Sequence, residues 1–461
     1  MPRILRLFVV LSALPFSLTA KSQPNIVLYI ADDHGRNDSS VYDASSDAIT
    51  PTMAKLAAAG LTFTQAFVAS PACGPSRSAL LSGLMPMRNG AEHNHERPRL
   101  ETQIMIPQMQ AAGYEVACFG KVQHGAWAKS LQADHVDLSR NNLEEKVQAY
   151  LDSRSLAKPL LLIVGDVRTH APWLEHDTYQ DITLTIPDRW VDTPDTRRLW
   201  ENYLGEVTEV DTTLGRIDDI ARAHFKTDDF LAIYTSDHGH AWPFGKWNLS
   251  DWGTQVAFIA RWPGHIAPHT RTDALISWID IFPTFLDIVG GEIPADIDGR
   301  SFAAVLQGET DQHRDLIFTT HSGDGEQNIY PIRAVRDDRF KYIRNIHPEA
   351  YHTTHTDMLR RPVQGSYFTE WEAAAVTDPH AQAVLQRYHR RPAVEFYDIV
   401  QDPGETTNLA ADPTYATELA RLAQHLESWM AAHHDTVRMQ HAPYLLSDPY
   451  PGPGSSSSDS D

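Results

Sequence analysis

The chain has 461 residues, 42% of them hydrophobic, with 39 Lys and Arg against 60 Asp and Glu for a formal net charge of −21. So acidic a surface repels the phosphate backbone of nucleic acid and the headgroups of anionic lipid, which argues against both as partners; an anionic substrate would need a pocket of locally positive charge. Cys73 and Cys118 are the only cysteines, too few for a disulfide framework, although one bridge and two separate thiols both fit the count.

Arg3 and Arg6 precede an apolar run from Leu7 to Leu18 and then small residues, a layout that predicts a secretory leader over residues 1–22. The run falls short of the roughly 20 residues of a spanning helix, so the expected mature protein carries no membrane segment. Next, "PNIVLYIADDHG" reads as a short apolar strand ending in Asp32 and Asp33, and "TPTMAKLAAAGLTF" as a helix opened by Thr50 and Pro51. "SPACGPSRSALLSG", Ser70 to Gly83, places Cys73 at the mouth of a helix, with Pro75 suited to its first turn. "IPQMQAAGY" predicts a helix and "EVACFG" a strand in which Cys118 is a buried apolar thiol.

"LLLIVGDVRTHAPW" and "FLAIYTSDHGHAW" repeat the plan of the first strand, an apolar run followed by Asp and His. Continuous apolar runs suggest strands buried on both faces. The expected fold is therefore α/β, a mixed and mostly parallel sheet flanked by helices. Ligands of such sheets bind beyond the carboxyl ends of the strands, where these three runs deliver carboxylates and imidazoles to one edge. Between the runs, "RRLWENYLGEVTEVDTTLGRIDDIARAHF" has the apolar spacing of a long helix. From about residue 330 the texture changes: "PIRAVRDDRFKYIRNI" and "VEFYDIVQDPGETTNL" read as two strands, and "DPTYATELARLAQHLESWMAAHH" as a closing amphipathic helix. The expected divisions are a catalytic domain over 23–330, a smaller α+β subdomain with an antiparallel sheet over 331–442, and a low-complexity tail over 443–461.

Asp32, Asp33, Asp237 and His238 follow two of the strands. Carboxylates with an imidazole suit a hard divalent ion, and Ca²⁺ or Mg²⁺ is favoured over zinc because thiolates are lacking.

The pentapeptide C-x-P-S-R at Cys73 to Arg77 resembles the signature at which type I sulfatases have their cysteine oxidised to formylglycine. "ADDHG", "GKVQH" at 120–124, "THAPW" at 169–173, "SDHG" at 236–239 and "FGKWN" at 244–248 accompany it. They fall in the order and at about the intervals of the sulfatase family of the alkaline-phosphatase superfamily. "LMPMRNGAEHNH", "DDRFKYIRNIHPEAY" and "QDPGETTNLAADP" look closest to sulfamidases, the heparan N-sulfatases, and to bacterial polysaccharide sulfatases. The chain departs from sulfamidases in having His238 where they usually carry Asn and Lys246 where they carry Arg. His124 also lies three places after Lys121, as in iduronate-sulfatase-like enzymes.

The resemblance implies an exported sulfuric ester hydrolase with an alkaline-phosphatase-like fold, acting on sulfate esters, or sulfamates, of polysaccharides. Its nucleophile would be a formylglycine hydrate made from Cys73 by a maturation enzyme: one hydroxyl attacks sulfur and the second expels sulfate. Asp32, Asp33, Asp237 and His238, with residue 73, would hold one Ca²⁺. Arg77 and Lys121 would neutralise the diol and sulfate, and His124 would orient or deprotonate the diol. His170 and Lys246 would contact sulfate, one of them protonating the leaving group, with His170 preferred. His93, His95, His240 and His321 are candidates for the wall of the substrate pocket. Two other readings remain open: a phosphonate monoester or phosphodiester hydrolase of the same superfamily, and a non-catalytic glycan-binding protein with Cys73 unmodified.

Overall fold

The computed structural model describes residues 23–453, so the leader expected over 1–22 lies outside the described residues. Eight strands form the main sheet, in the order His135–Asp137, Glu115–Gly120, Leu160–Asp166, Asn25–Ala31, Phe230–Ser236, Phe258–Arg261, Leu61–Phe63, Thr270–Thr272. The first five run parallel, and Phe258–Arg261 is antiparallel to both its neighbours. The α/β expectation holds, and its physical reason is visible in Asn25–Ala31. Ile26, Leu28 and Ile30 join the core on one face of the sheet, while Val27, Tyr29 and Ala31 join the core on the other. Helix Pro194–Phe225 covers the second face, contributing Val210, Leu214 and Ile217.

A second, four-stranded antiparallel sheet has the order Ile317–His321, Ile332–Arg336, Phe340–Asn345, Val394–Asp398. "PIRAVRDDRFKYIRNI" is therefore a hairpin of two strands rather than one, turning at Asp337 to Arg339, where the side chain of Asp337 accepts from the backbone N–H groups of Arg339 and Phe340. The first strand of this sheet precedes residue 330. Helix Ala416–Ala432 packs Leu422 and Leu426 against Val335, Tyr342 and Phe396 of the sheet. Residues 443–453, read from sequence as part of the tail, are tied to the body: Tyr351 N–H donates to Tyr444 O at 2.7 Å, and Tyr450 Oη to Asp357 Oδ2 at 2.6 Å. Among the described residues no helix is long and apolar enough to cross a membrane.

Candidate active site

Four adjacent parallel strands carry the site at their carboxyl ends. Lys121 follows Glu115–Gly120, His170 follows Leu160–Asp166, Asp32 and Asp33 follow Asn25–Ala31, and Asp237 and His238 follow Phe230–Ser236. The backbone fixes their depth: Asp32 N–H donates to Asp166 O at 2.9 Å, Asp237 N–H to Ala31 O at 3.0 Å and Lys121 N–H to Gly165 O at 2.9 Å. Gly120 is required here. Its φ is +65°, and a Cβ would lie 2.2 Å from Gly165 O.

Into this edge points helix Cys73–Ser82, buried along its whole length. Cys73 Sγ lies 3.5 Å from Asp32 Oδ1, 3.8 Å from Asp33 Oδ1, 3.3 Å from His238 Nε2 and 3.3 Å from Lys246 Nζ. One turn on, Arg77 donates from Nε to Asp237 Oδ2 at 2.9 Å and meets Asp32 Oδ1 at 3.3 Å. It also donates to the carbonyl of Lys121. Lys121 Nζ lies 2.5 Å from Asp32 Oδ2, and Lys246 Nζ lies 3.0 and 2.9 Å from the two oxygens of Asp33. Asp32, Asp33 and Asp237 are thus matched by Arg77, Lys121 and Lys246, three negative charges against three positive.

Burial raises the carboxyl of Asp32, but Lys121 and Arg77 outweigh it and hold the group well below the usual range; Lys246 likewise outweighs burial at Asp33 and lowers it. Burial would lower both lysines, yet Asp32 holds Lys121, and Asp33 holds Lys246, above the ordinary value. Both ammonium groups stay charged. Burial pushes the Cys73 thiol well up, so the unmodified side chain is a neutral thiol and a poor nucleophile.

Asp32, Asp33, Cys73, Asp237 and His238 each offer a ligand atom, all within 4.8 Å of one another. The chemistry of this set fits a hard divalent cation. His238 fits too: its Nδ1 faces Gly239 O at 2.9 Å and so carries the proton, leaving the electron pair of Nε2 turned into the cluster. The neighbouring His170 has Nδ1 2.7 Å from Ala171 O, which likewise leaves Nε2 as its free nitrogen. Burial pushes His170 down to about 4.

A sequence pattern described as Sulfatase matches residues 24–291, more than half of the chain. The chain belongs to the sulfatase family. It is a sulfuric ester hydrolase, and its residues 238–359 also match the pattern described as N-sulphoglucosamine sulphohydrolase, C-terminal. An ulvan-active sulfatase of Formosa agariphila is 30% identical over 444 residues, covering 92% of this chain and 84% of the relative. The N-sulphoglucosamine sulphohydrolase of Homo sapiens is 25% identical over 462 residues, 89% of this chain and 90% of the relative. Among solved structures, one in complex with its substrate D-glucosamine-2-N,6-O-disulfate superposes with a TM-score of 0.70 at 19% identity, over 90% of this chain and 99% of that one. A phosphonate monoester hydrolase from Silicibacter pomeroyi follows at 0.66 and 20% identity, over 90% and 96%. Both superpositions bear on the fold, which is the alkaline-phosphatase-like sulfatase fold.

The structure brings Asp32, Asp33, Cys73, Arg77, Lys121, Asp237, His238 and Lys246 of this sulfatase into one cluster. His124 stands beside it, its Nε2 2.9 Å from Nδ1 of His95. His240 and His321, expected on the pocket wall, are only 1% exposed. His240 is walled in by Trp190, Trp200, Tyr203 and Trp252, and His321 bonds Asn328 Oδ1 at 2.5 Å, so both are core histidines. His93 is buried as well, against Gly323. Cys73 and Cys118 are free thiols, which removes the bridge.

Asn94, Thr169 and Asp324 escaped sequence reasoning. Thr169 Oγ1 donates to Asp32 O at 2.7 Å, and Asn94 Oδ1 accepts from Gly74 N–H at 2.9 Å. Thr169 opens the motif "THAPW", a local signal, whereas Asp324 acts across the fold and has none.

Proposed function

We propose that this sulfatase is exported and removes sulfate esters from sulfated polysaccharides or their oligosaccharides, with formylglycine at position 73 and one Ca²⁺ held by Asp32, Asp33, Asp237 and His238. The observation that carries the reading is residue 73 itself, at the first turn of a buried helix, with two carboxylates, an imidazole and an ammonium within 3.8 Å. Support for the substrate class comes from the ulvan-active relative, aligned over 92% of the chain. The leader-like residues 1–22 support export.

Ca²⁺, when bound, supplies Lewis-acid polarisation of sulfate oxygens and of the hydroxyl at residue 73. The chain's own groups do the rest. Lys121 and Lys246 place positive charge where the sulfate oxygens gain negative charge in the transition state. Arg77 fixes Asp32 and Asp237 from behind. His124 takes the proton from the second hydroxyl of residue 73 as sulfate leaves, and His170, neutral in the protein alone, is the candidate donor to the departing alcohol once the negative charge of bound sulfate raises it and protonates Nε2.

Two measurements test this reading. The mass of the peptide containing Cys73 reports formylglycine as a loss of sulfur. A panel of defined sulfated oligosaccharides, run beside an aryl sulfate, a phosphodiester and a phosphonate monoester, reports the substrate. Hydrolysis of the phosphorus esters with no turnover of any sulfated sugar would refute it.

A further inference from the structure

Asp324, in the turn after strand Ile317–His321, is 2% exposed and touches no ligand of the carboxylate cluster, yet it gathers the supports of the site. Its Oδ2 accepts from Trp247 Nε1 at 2.7 Å and from Asn94 Nδ2 at 2.9 Å. Trp247 follows Lys246, and Asn94 holds the backbone of Gly74, next to Cys73. Its other oxygen, Oδ1, has no hydrogen-bond partner among the described residues except for the facing His95 Nε2 at 3.4 Å. His95 in turn meets His124 through Nδ1, at 2.9 Å from His124 Nε2.

The backbone holds His95 for this contact. Its φ is +68°, a left-handed conformation that a side chain with Cβ adopts at a cost. The neighbouring residue is clamped on two sides: Asn94 N–H donates to Gly323 O at 3.1 Å, and a Cβ on Gly74 would lie 3.0 Å from Asn94 Oδ1. Glycine at the second position of the C-x-P-S-R motif is what lets the segment approach.

We propose that Asp324 and His95 are positioning residues that fix the tautomer of His124, with the proton on Nε2 and the electron pair on Nδ1. The argument is one of donors and acceptors. An ionised carboxylate only accepts, so His95 Nε2 carries a proton toward Asp324. A neutral His95 then has its electron pair on Nδ1, and His124 Nε2 must be the donor across the 2.9 Å contact. Two further facts agree. Burial raises Asp324, but the charge of His355 and the hydrogen bonds from His95 and Trp247 outweigh it and keep the group ionised. Burial, with the Lys121 ammonium beside it, pushes His124 well below the ordinary imidazole range, so it has one proton to place. This rests on the role of His124 given above, as the base that meets residue 73.

The test is long-range ¹H–¹⁵N correlation on the full-length, Ca²⁺-loaded protein with ¹⁵N-labelled histidine, at pH 8, where an ordinary imidazole is neutral. The His124 signals are identified by their loss in His124→Gln. Expected are a protonated Nε2 and an unprotonated Nδ1 in the native protein, and averaged shifts of mixed tautomers in His95→Ala and Asp324→Asn. His95 has a side chain 51% exposed and its removal leaves the bonds of Asp324 to Trp247 and Asn94 intact, so this variant stays informative if Asp324→Asn fails to fold. With an activated aryl sulfate, His95→Ala should lose about 10- to 100-fold in kcat with little change in KM. A proton on Nδ1 of His124 in the native protein, or an unchanged Nε2–H signal in both variants, overturns the proposal. His124→Gln separates the two layers, since undiminished turnover by that variant refutes the role of His124, whichever tautomer is observed.

Discussion

Lys246→Met removes an ammonium group that lies 2.9 and 3.0 Å from the oxygens of Asp33, with both side chains almost wholly buried. Two losses follow from that one geometry. In the metal-free protein Asp33 is left a buried carboxylate without its counter-charge, which costs about 3–5 kcal/mol of stability. In catalysis one charge facing the sulfate oxygens is gone, which costs about 100- to 1000-fold in kcat. Because both substrates present the same sulfate group, the catalytic loss should be nearly equal for a sulfated sugar and an activated aryl sulfate. His170→Ala should differ: an alkoxide needs a proton to leave and a nitrophenolate hardly does, so the sugar should suffer far more. The assay is kcat/KM for both variants on both substrates, with urea unfolding in chelator and in Ca²⁺. Lys246→Arg should recover much of the activity. If Lys246→Met stays within about threefold of the native enzyme on the aryl sulfate while losing sugar turnover, and His170→Ala slows both equally, the roles are exchanged and lysine is the acid.

Cys73→Ser should abolish multiple turnover while the unfolding curve stays close to native, because serine has no second hydroxyl with which to expel sulfate; sustained turnover would refute the diol. Chelation followed by return of Ca²⁺ should raise Tm and restore activity at one equivalent, with about 2.7 kcal/mol gained at a hundredfold excess over Kd. Burial lowers His240 to about 3 and His321 to about 4, below the unfolded value near 6.5, so the unfolded chain takes up their protons first. Stability is then lost as pH falls from 6.5 toward 4, about 2 kcal/mol for each group by pH 5, and His321→Gln should remove its share of that acid sensitivity in urea unfolding at pH 7 and pH 5.

What could be read from the chain depended on how locally each feature is encoded. Apolar runs ending in Asp and His marked Asn25–Ala31, Leu160–Asp166 and Phe230–Ser236, because a strand buried on both faces must be apolar throughout and its polar residues collect at the end. The cluster around Cys73 was legible for the same reason, since its members, Lys246 in the turns after Phe230–Ser236 excepted, follow a strand directly or lie in the first turns of a helix. The strand Leu61–Phe63 was not, being three residues that pair with Phe258–Arg261 and Thr270–Thr272, far away in sequence. His240 and His321 follow polar and strand segments that look like pocket wall, but tertiary packing puts aromatic rings over one and Asn328 against the other. Asp324 shows the limit most plainly: "SGDGE" is an ordinary turn sequence, and the residue matters only through partners at positions 94, 95 and 247.

Charge pairing within the cluster leads to a last expectation. Lys121 is committed to Asp32 and Lys246 to Asp33 in the protein alone, and Arg77 to Asp32 and Asp237, so every cation that a sulfate could use is already paired with a carboxylate. An arriving anion would have to compete with those carboxylates at contact distance, inside the protein, where the pairs are strong. A divalent cation taken up by Asp32, Asp33 and Asp237 shifts the balance from zero to +2 and removes that competition. Anion binding and metal binding should therefore be coupled, each strengthening the other by the same factor. Titration calorimetry with inorganic sulfate, in chelator and then in saturating Ca²⁺, measures the coupling directly. Equal sulfate affinity in both conditions would mean that the lysines reach the anion without release from Asp32 and Asp33, and the charge argument would fail.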